Sequence, residues 1–189
     1  MNASAIGFYG DRGDEMLDES SSPGDGFLAD VCRAWEGATQ AAEEAGARVC
    51  FLRTGMVLDR GEGVLGRMVP IFNLGAGGKL GSGKQWMPWI SLADEIGAIR
   101  YAMDHDLSGP INLTGPNPVR NEEFTPVLAA VLGRPALLPV PAFGLRAVLG
   151  EFSADVLSST RVRPEVLISS GYVHQHTDVE SALRWALDQ

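Results

Sequence analysis

From Asn2 to Tyr9 the chain is largely apolar without a helical period and stops at Gly10-Asp11-Arg12-Gly13, which predicts a buried strand ending in a turn. A polar loop through Ser20-Ser21-Ser22-Pro23-Gly24 follows. Residues 27–45 then carry Leu28, Val31, Cys32, Trp35, Ala38 and Ala42 at helical spacing, with Gly46 as a stop signal. Arg48 to Leu58 is mostly apolar with little alternation, the pattern of a strand covered on both faces in a parallel sheet. Strand, helix and strand in this order predict a βαβ unit.

Further on, residues 64–74 predict a short helix interrupted near Pro70, and Gly75 to Gly83 is too rich in glycine for regular structure. Trp86 to Ile90 reads as extended. Ser91-Leu92-Ala93-Asp94 is a capping pattern before a helix reaching Met103, and Pro110 to Thr114 is another short buried strand. After Gly115 the texture changes. A loop with Pro116 and Pro118 leads to a helix capped by Asn121, with Phe124, Leu128, Val131 and Leu132 on its core face and Pro126 weakening its first turn. A strand at Ala136 to Val140, a helix after Pro141 and a last helix capped by Thr177 and Glu180 complete the chain.

Composition narrows the field. With 189 residues, the chain can build one sizeable core, and 45% apolar against 21% charged residues is that of an ordinary globule. A formal charge of −9 has the wrong sign for gathering nucleic-acid phosphates or anionic lipid, so neither nucleic acid nor a membrane is expected as a partner. No apolar run approaches the roughly 20 residues of a membrane span, and Met1-Asn2-Ala3-Ser4 has no signal-peptide character. The expected location is cytoplasmic. Cys32 and Cys50 sit among apolar neighbours, with no CxxC, and read as reduced core thiols; His105, His174 and His176 are scattered in polar surroundings, so surface histidines and no metal site are expected.

Two glycine motifs invite a nucleotide. Gly61-Glu62-Gly63-Val64-Leu65-Gly66 spells GxGxxG after a strand. However, Pro70 falls in the helix that would face the phosphates and a glycine-rich stretch stands where the second strand belongs, so a flexible loop is the better reading. Gly78 to Lys84 satisfies the first seven positions of a phosphate loop, but Gln85 lacks the hydroxyl that would bind magnesium and Trp86-Met87-Pro88-Trp89 follows instead of a helix. Its glycines suit a tight bend or a close ligand approach, displaying Lys84, Gln85 and Trp86 beyond it.

The stretches SAIGFYGDRGD, FLADVCRAWE, LRTGMVLDRGEGVLGRM, GKLGSGKQWMPWISLADEIGAI, GPINLTGPNPV and the tail from PAFGLRAVLGE through SGYVHQHTDVESAL recur in one order. Together they resemble the extended short-chain dehydrogenase/reductase superfamily, in its NAD-dependent epimerase/dehydratase branch labelled cell-division-inhibitor-like (SulA), and they span nearly the whole chain. The resemblance implies an α/β fold: the C-terminal part of a Rossmann-type parallel sheet plus a small α/β substrate-binding domain. Residues 1–60 and 88–115 would be the remnant of the NAD(P)-binding domain, and 61–87 with 116–189 the substrate-binding and C-terminal domain of unknown function. In the family a glycine-rich first βα turn and four strands precede the SAIGFYG stretch, so the sequence is expected to represent the C-terminal two-thirds of a member.

By the same resemblance, family members use a serine, a tyrosine and a lysine four residues after it; the lysine lowers the tyrosine's pKa so that the phenolate exchanges a proton while hydride moves at the nicotinamide. Ser4 matches the serine. Phe27 or Leu28 falls at the tyrosine and Val31 or Cys32 at the lysine, so that relay cannot operate. Tyr9 is a substitute donor on position, and Lys84 another. Arg53, Thr54, Gly55, Met56 and Val57 end the second strand where members contact the nicotinamide, and they either bind cofactor or simply pack the sheet. Lys84, Gln85, Trp86, Trp89 and Asn112 are expected to line the cleft of a small-molecule substrate. The implied protein is an NADP- or NAD-dependent oxidoreductase of atypical active site, with weak or absent cofactor binding by this chain alone. The alternative is a non-catalytic binding or regulatory module that keeps the fold. A sheet opening at this strand has an uncovered edge, so self-association through it is expected.

Overall fold

The computed structural model describes residues 1–136, 139–150 and 153–188, without side chains at 147–149 and 155. Its centre is a parallel three-stranded sheet, ordered β1 (Asn2–Ala5), β3 (Cys50–Thr54), β7 (Gly109–Leu113). The register sets Ser4 beside Arg53 and Arg53 beside Asn112, three polar residues in one row across the strands. Because side chains alternate between faces, the next row, Ala5, Thr54 and Leu113, points the other way. Helix α1 (Phe27–Gly37) covers the Ser4 face, with Glu36 reaching both Ser4 and Arg53. On the opposite face α4 (Leu92–Asp104) packs Ala98 and Ala102 against Cys50, Leu52, Ile111 and Leu113. The α/β architecture with a Rossmann-type parallel sheet therefore stands as the family resemblance implied.

Several boundaries move, each for a local reason. The first strand ends at Ala5, and Ile6–Tyr9 winds into a 3-10 turn that brings the Phe8 and Tyr9 rings into the core. Gly24 passes so close to this turn that a Cβ there would lie 2.0 Å from the Tyr9 carbonyl oxygen. The helix expected over 27–45 breaks after Gly37 and resumes as α2 (Gln40–Glu44), none of whose residues is buried. Without an apolar face to bury, nothing holds the two pieces as one helix.

The strand expected over Arg48 to Leu58 divides at Gly55 into β3 and β4 (Met56–Leu58). There the chain threads between Pro88 and Thr114; a Cβ would sit 2.4 Å from the Pro88 carbonyl oxygen. Beyond this crossing β4 leaves the first sheet and pairs in parallel with β6 (Trp89–Ser91). Helix α3 (Gly63–Asn73) runs through Pro70 without interruption, since that residue lies on the exposed side, where an unpaired carbonyl stays hydrated. Asn121 begins α5 (Asn121–Leu132) but is not its cap. Buried, it accepts the Leu80 amide instead, and the Glu123 carboxylate closes the helix start on the Arg120 amide.

A second core joins Leu58, Leu65, Phe72, Trp89, Phe124 and Leu128 to Ala182, Leu183 and Ala186 of α9 (Val179–Leu187), capped by Asp178 rather than Thr177. Short strands fasten the lobes together: β5 (Trp86–Met87) runs antiparallel to β8 (Val119–Arg120), and β2 (Met16–Leu17) parallel to β9 (Arg161–Val162). Of the strand expected over Ala136 to Val140, residues 137 and 138 lie outside the described residues, and Val140 forms a lone bridge with Leu80. Helices α6 (Ala142–Leu149), α7 (Ser153–Leu157) and α8 (Glu165–Ser170) lie between α5 and α9 in sequence, with Leu167 of α8 packed into the first core.

Candidate functional site

In open parallel α/β sheets ligands bind beyond the carboxyl ends of the strands, and here these ends carry a buried polar row. The Ser4 hydroxyl donates to Glu36 Oε1 at 2.7 Å, and the Arg53 guanidinium grips both Glu36 oxygens at 2.9 Å each. Arg53 also stacks on the Phe8 ring, 3.5 Å from its centroid, and donates to the Tyr9 hydroxyl at 3.0 Å. Tyr9 in turn donates to Asn112 Oδ1 at 2.7 Å. Asn112 closes the row through its amide N–H, which donates to Glu19 at 3.0 Å.

This network decides what its members can do. Tyr9 has no exposed surface, and burial raises its phenol above the ordinary value despite the opposing pull of Arg53. That is the reverse of a relay tyrosine, whose pKa must fall toward neutrality. Arg53 has its guanidinium committed within the fold. Thr54, Gly55, Met56 and Val57 remain half-buried, and this strip beyond β3 is what could hold the nicotinamide end of a dinucleotide. In its middle the Gly55 amide donates to the Leu113 carbonyl at 3.0 Å and the Met56 amide to the Pro88 carbonyl at 2.7 Å, so the backbone there is held by its neighbours. Among the described residues no group of three or more metal-ligating side chains is assembled.

At the relay positions, Leu28 is partly exposed and Cys32 is buried, donating weakly to the Ala5 carbonyl at 3.6 Å; burial raises its thiol. Both cysteines are free and buried, as the sequence implied. The five residues expected to line a cleft do not share one surface. Gln85 is spent inside, donating to the Leu80 carbonyl, Trp89 is buried with its indole N–H on the Asn117 carbonyl, and Asn112 belongs to the polar row. Only Lys84, exposed, and Trp86, half-buried, reach the surface.

On the other face, Thr54 donates to Glu95 Oε1 at 2.9 Å, whereas Glu95 Oε2 and the Thr114 hydroxyl are buried without a partner among the described residues. Desolvation pushes the Glu95 carboxyl up to about 7. Its neighbour Asp94 gathers the backbone amides of Gln175 at 2.7 Å and His176 at 3.0 Å, the Tyr172 hydroxyl at 3.1 Å and the Ser91 hydroxyl at 2.9 Å. Two histidines correct the expectation of surface positions: His174 is buried against the Thr114 carbonyl, at 3.1 Å, and His176 is half-buried against Ser91, at 2.9 Å. The sequence signal available was Ser91-x-x-Asp94, which reads as a cap and hides the second duty of the aspartate.

Comparison with known proteins agrees with this architecture. Residues 140–186 match a family described as a domain of unknown function, DUF1731. An epimerase family protein of Mycobacterium leprae is 47% identical over 188 residues, covering 98% of this chain and 61% of that relative. Over nearly its whole length the chain is similar to epimerase family proteins. It spans about three-fifths of the length of the mycobacterial relatives it matches. Among solved structures, the chain superimposes on the human epimerase family protein SDR39U1 (isoform 2) with NADPH at a TM-score of 0.93 and 31% identity, over 99% of this chain and 64% of that one. A nucleoside-diphosphate sugar epimerase from Corynebacterium glutamicum gives a TM-score of 0.80 at 40% identity, over 98% of this chain and 36% of that one. The UDP-glucose 4-epimerase of Thermus thermophilus, at 17% identity and a TM-score of 0.74, shares the fold.

Proposed function

We propose that this chain carries the nicotinamide end and the substrate side of an NAD(P)-dependent epimerase/dehydratase-type oxidoreductase whose active site lacks the tyrosine–lysine relay. The observation that carries the reading is the match over 99% of the chain to human SDR39U1, whose structure holds NADPH. Thr54 to Val57 would receive the nicotinamide end, where the cofactor supplies hydride chemistry. Ser4 and Tyr9 stand in the buried row beside that strip, and Tyr9, protonated at neutral pH, serves there to position Arg53 and Asn112. The substrate is a small molecule, entering from the side of Lys84 and Trp86.

A cofactor needs a phosphate-binding turn as well as a nicotinamide strip. The chain alone is therefore expected to bind NADPH or NADH weakly, and a polypeptide of the relatives' full length to bind tightly. Calorimetric titration of both polypeptides with both cofactors tests this, and sub-micromolar binding by the chain alone contradicts it. A second reading, a non-catalytic module that keeps the fold, is favoured by Phe27 or Leu28 at the tyrosine position and Val31 or Cys32 at the lysine position. Absence of turnover by the full-length protein with carbonyl and sugar-nucleotide substrates, together with tight binding of a partner, selects that reading. Among the described residues the outer edge of β1 has no neighbouring strand, which supports self-association of this chain through it, read by sedimentation velocity over a range of concentrations.

A further inference from the structure

Three acids are buried among the described residues, Glu19, Asp94 and Glu95, and two of them are well served by donors. Glu19 accepts the amides of Asn112 at 3.0 Å and Glu165 at 3.1 Å, one on each oxygen. Asp94 gathers the two amides and two hydroxyls already described. Glu95 is the exception. Only 9% exposed in the first turn of α4, it receives the Thr54 hydroxyl on Oε1, while Oε2 meets no donor among the described residues. The Thr114 hydroxyl, just beyond the end of β7, is buried and equally without a partner there, and its methyl lies 2.9 Å from where a Cβ on Gly55 would stand.

Among the described residues no ion pair includes Glu95. Arg53, beside Thr54 on β3, turns to the other face and pairs with Glu36. The neighbour on α4 is a second acid, Asp94, and His176 pairs with it. The segment after α8 brings Tyr172, whose phenol is pushed up by burial and by the Asp94 charge, and His174, which burial holds below its ordinary value, so both are uncharged at neutral pH. Burial likewise raises the Glu95 carboxyl, to about 7. A charge in this position costs the fold stability, and a glutamine would accept the Thr54 bond without it. The Thr54 bond sets this uncompensated group against the Thr54–Val57 strip. A nicotinamide ring received there is neutral when reduced and cationic when oxidised.

We propose that Glu95 is the counter-charge of the oxidised nicotinamide ring, so that the strip discriminates between the two redox states of the cofactor. This rests on the reading of that strip as the nicotinamide site. The ring supplies the cation that the fold omits, and only its oxidised form does so. A preference of about tenfold for the cationic ring by the carboxylate equals, by linkage, a fall of about one unit in the pH at which Glu95 titrates. The test uses the ring alone: 1-methylnicotinamide, a fixed cation, and nicotinamide, neutral at both pH values employed. Each is titrated into this chain at pH 5.5 and pH 8, with the amide signals of residues 55–57 followed by nitrogen-15 NMR and the Glu95 carboxyl by carbon-13. The cation should gain about tenfold over the neutral ring between the two pH values, and saturating cation should lower the Glu95 midpoint by about one unit. In Glu95→Gln the ratio of the two affinities should stay at its low-pH value throughout. Glu43→Gln, which removes the same charge from exposed α2, should behave as the wild type. A ratio that rises with pH in Glu95→Gln, one that is flat in the wild type, or a Glu95 midpoint unmoved by the cation overturns the proposal and leaves the strip in place. Failure of both rings to shift residues 55–57 counts against the strip as the nicotinamide site, and the proposal falls with it.

Discussion

Replacing Glu95 by glutamine should make the protein more stable at alkaline pH. The carboxyl is 9% exposed, receives one hydrogen bond, from Thr54, and leaves Oε2 with none among the described residues. Burial moves it from 4.5 in the unfolded chain to about 7 in the fold. A folded-state acid of raised pKa binds more protons than the unfolded chain between those values, so stability is greatest below pH 4.5 and falls until pH passes about 7. The whole interval corresponds to about 3 kcal/mol, and the part above pH 5.5 to about 2 kcal/mol. Urea unfolding of wild type and Glu95→Gln at pH 5.5 and pH 8 isolates the group, because Glu19 and His174 titrate alike in both proteins. The wild type should lose about 2 kcal/mol relative to the variant across that interval. Parallel profiles, or a variant less stable at pH 8, would refute the reasoning that Glu95 is charged there against its surroundings.

Asp94→Asn keeps one acceptor for the Gln175 amide but turns an N–H2 toward the His176 amide. A loss of about 3 kcal/mol is expected, with faster hydrogen exchange at residues 175 and 176 than at β3. Tyr9→Phe strips a partner from both Arg53 and Asn112 and should cost about 1–3 kcal/mol in urea unfolding. Since Tyr9 is assigned a positioning role, that variant of the full-length protein should keep the inflections of its pH–rate profile. Their disappearance would return Tyr9 to the proton-transfer step.

What could be read from the sequence was whatever depends on neighbours along the chain. The unbroken apolar runs gave β1, β3 and β7, and Ser91 with Asp94 gave the start of α4, because patterning and capping act over a few residues. The division at Gly55 was not legible, since it is imposed by Pro88 and Thr114 from other parts of the chain. For the same reason the histidines were misplaced: His176 is half-buried by a contact with Ser91, 85 residues away. Two-residue strands such as β2 and β9 carry no periodicity at all. Of the site, Ser4, Arg53 and Asn112 are each legible singly, but only the register puts them in one row; Glu36 and Glu95 read along the chain as charged, solvent-facing helix residues, and only packing against distant segments covers them.

The central claim, that this fold holds a nicotinamide cofactor at the Thr54–Val57 strip, meets its most direct test in a difference experiment on a polypeptide of the relatives' full length. NADPH is titrated calorimetrically into that protein and into its Thr54→Trp variant, which fills the strip. The account predicts tight binding by the first and a loss of at least about tenfold in the second, while Thr54→Val, which removes the same hydrogen bond to Glu95 without filling the strip, keeps cofactor binding. Equal affinity in the two, or no binding by the unaltered full-length protein, would contradict it.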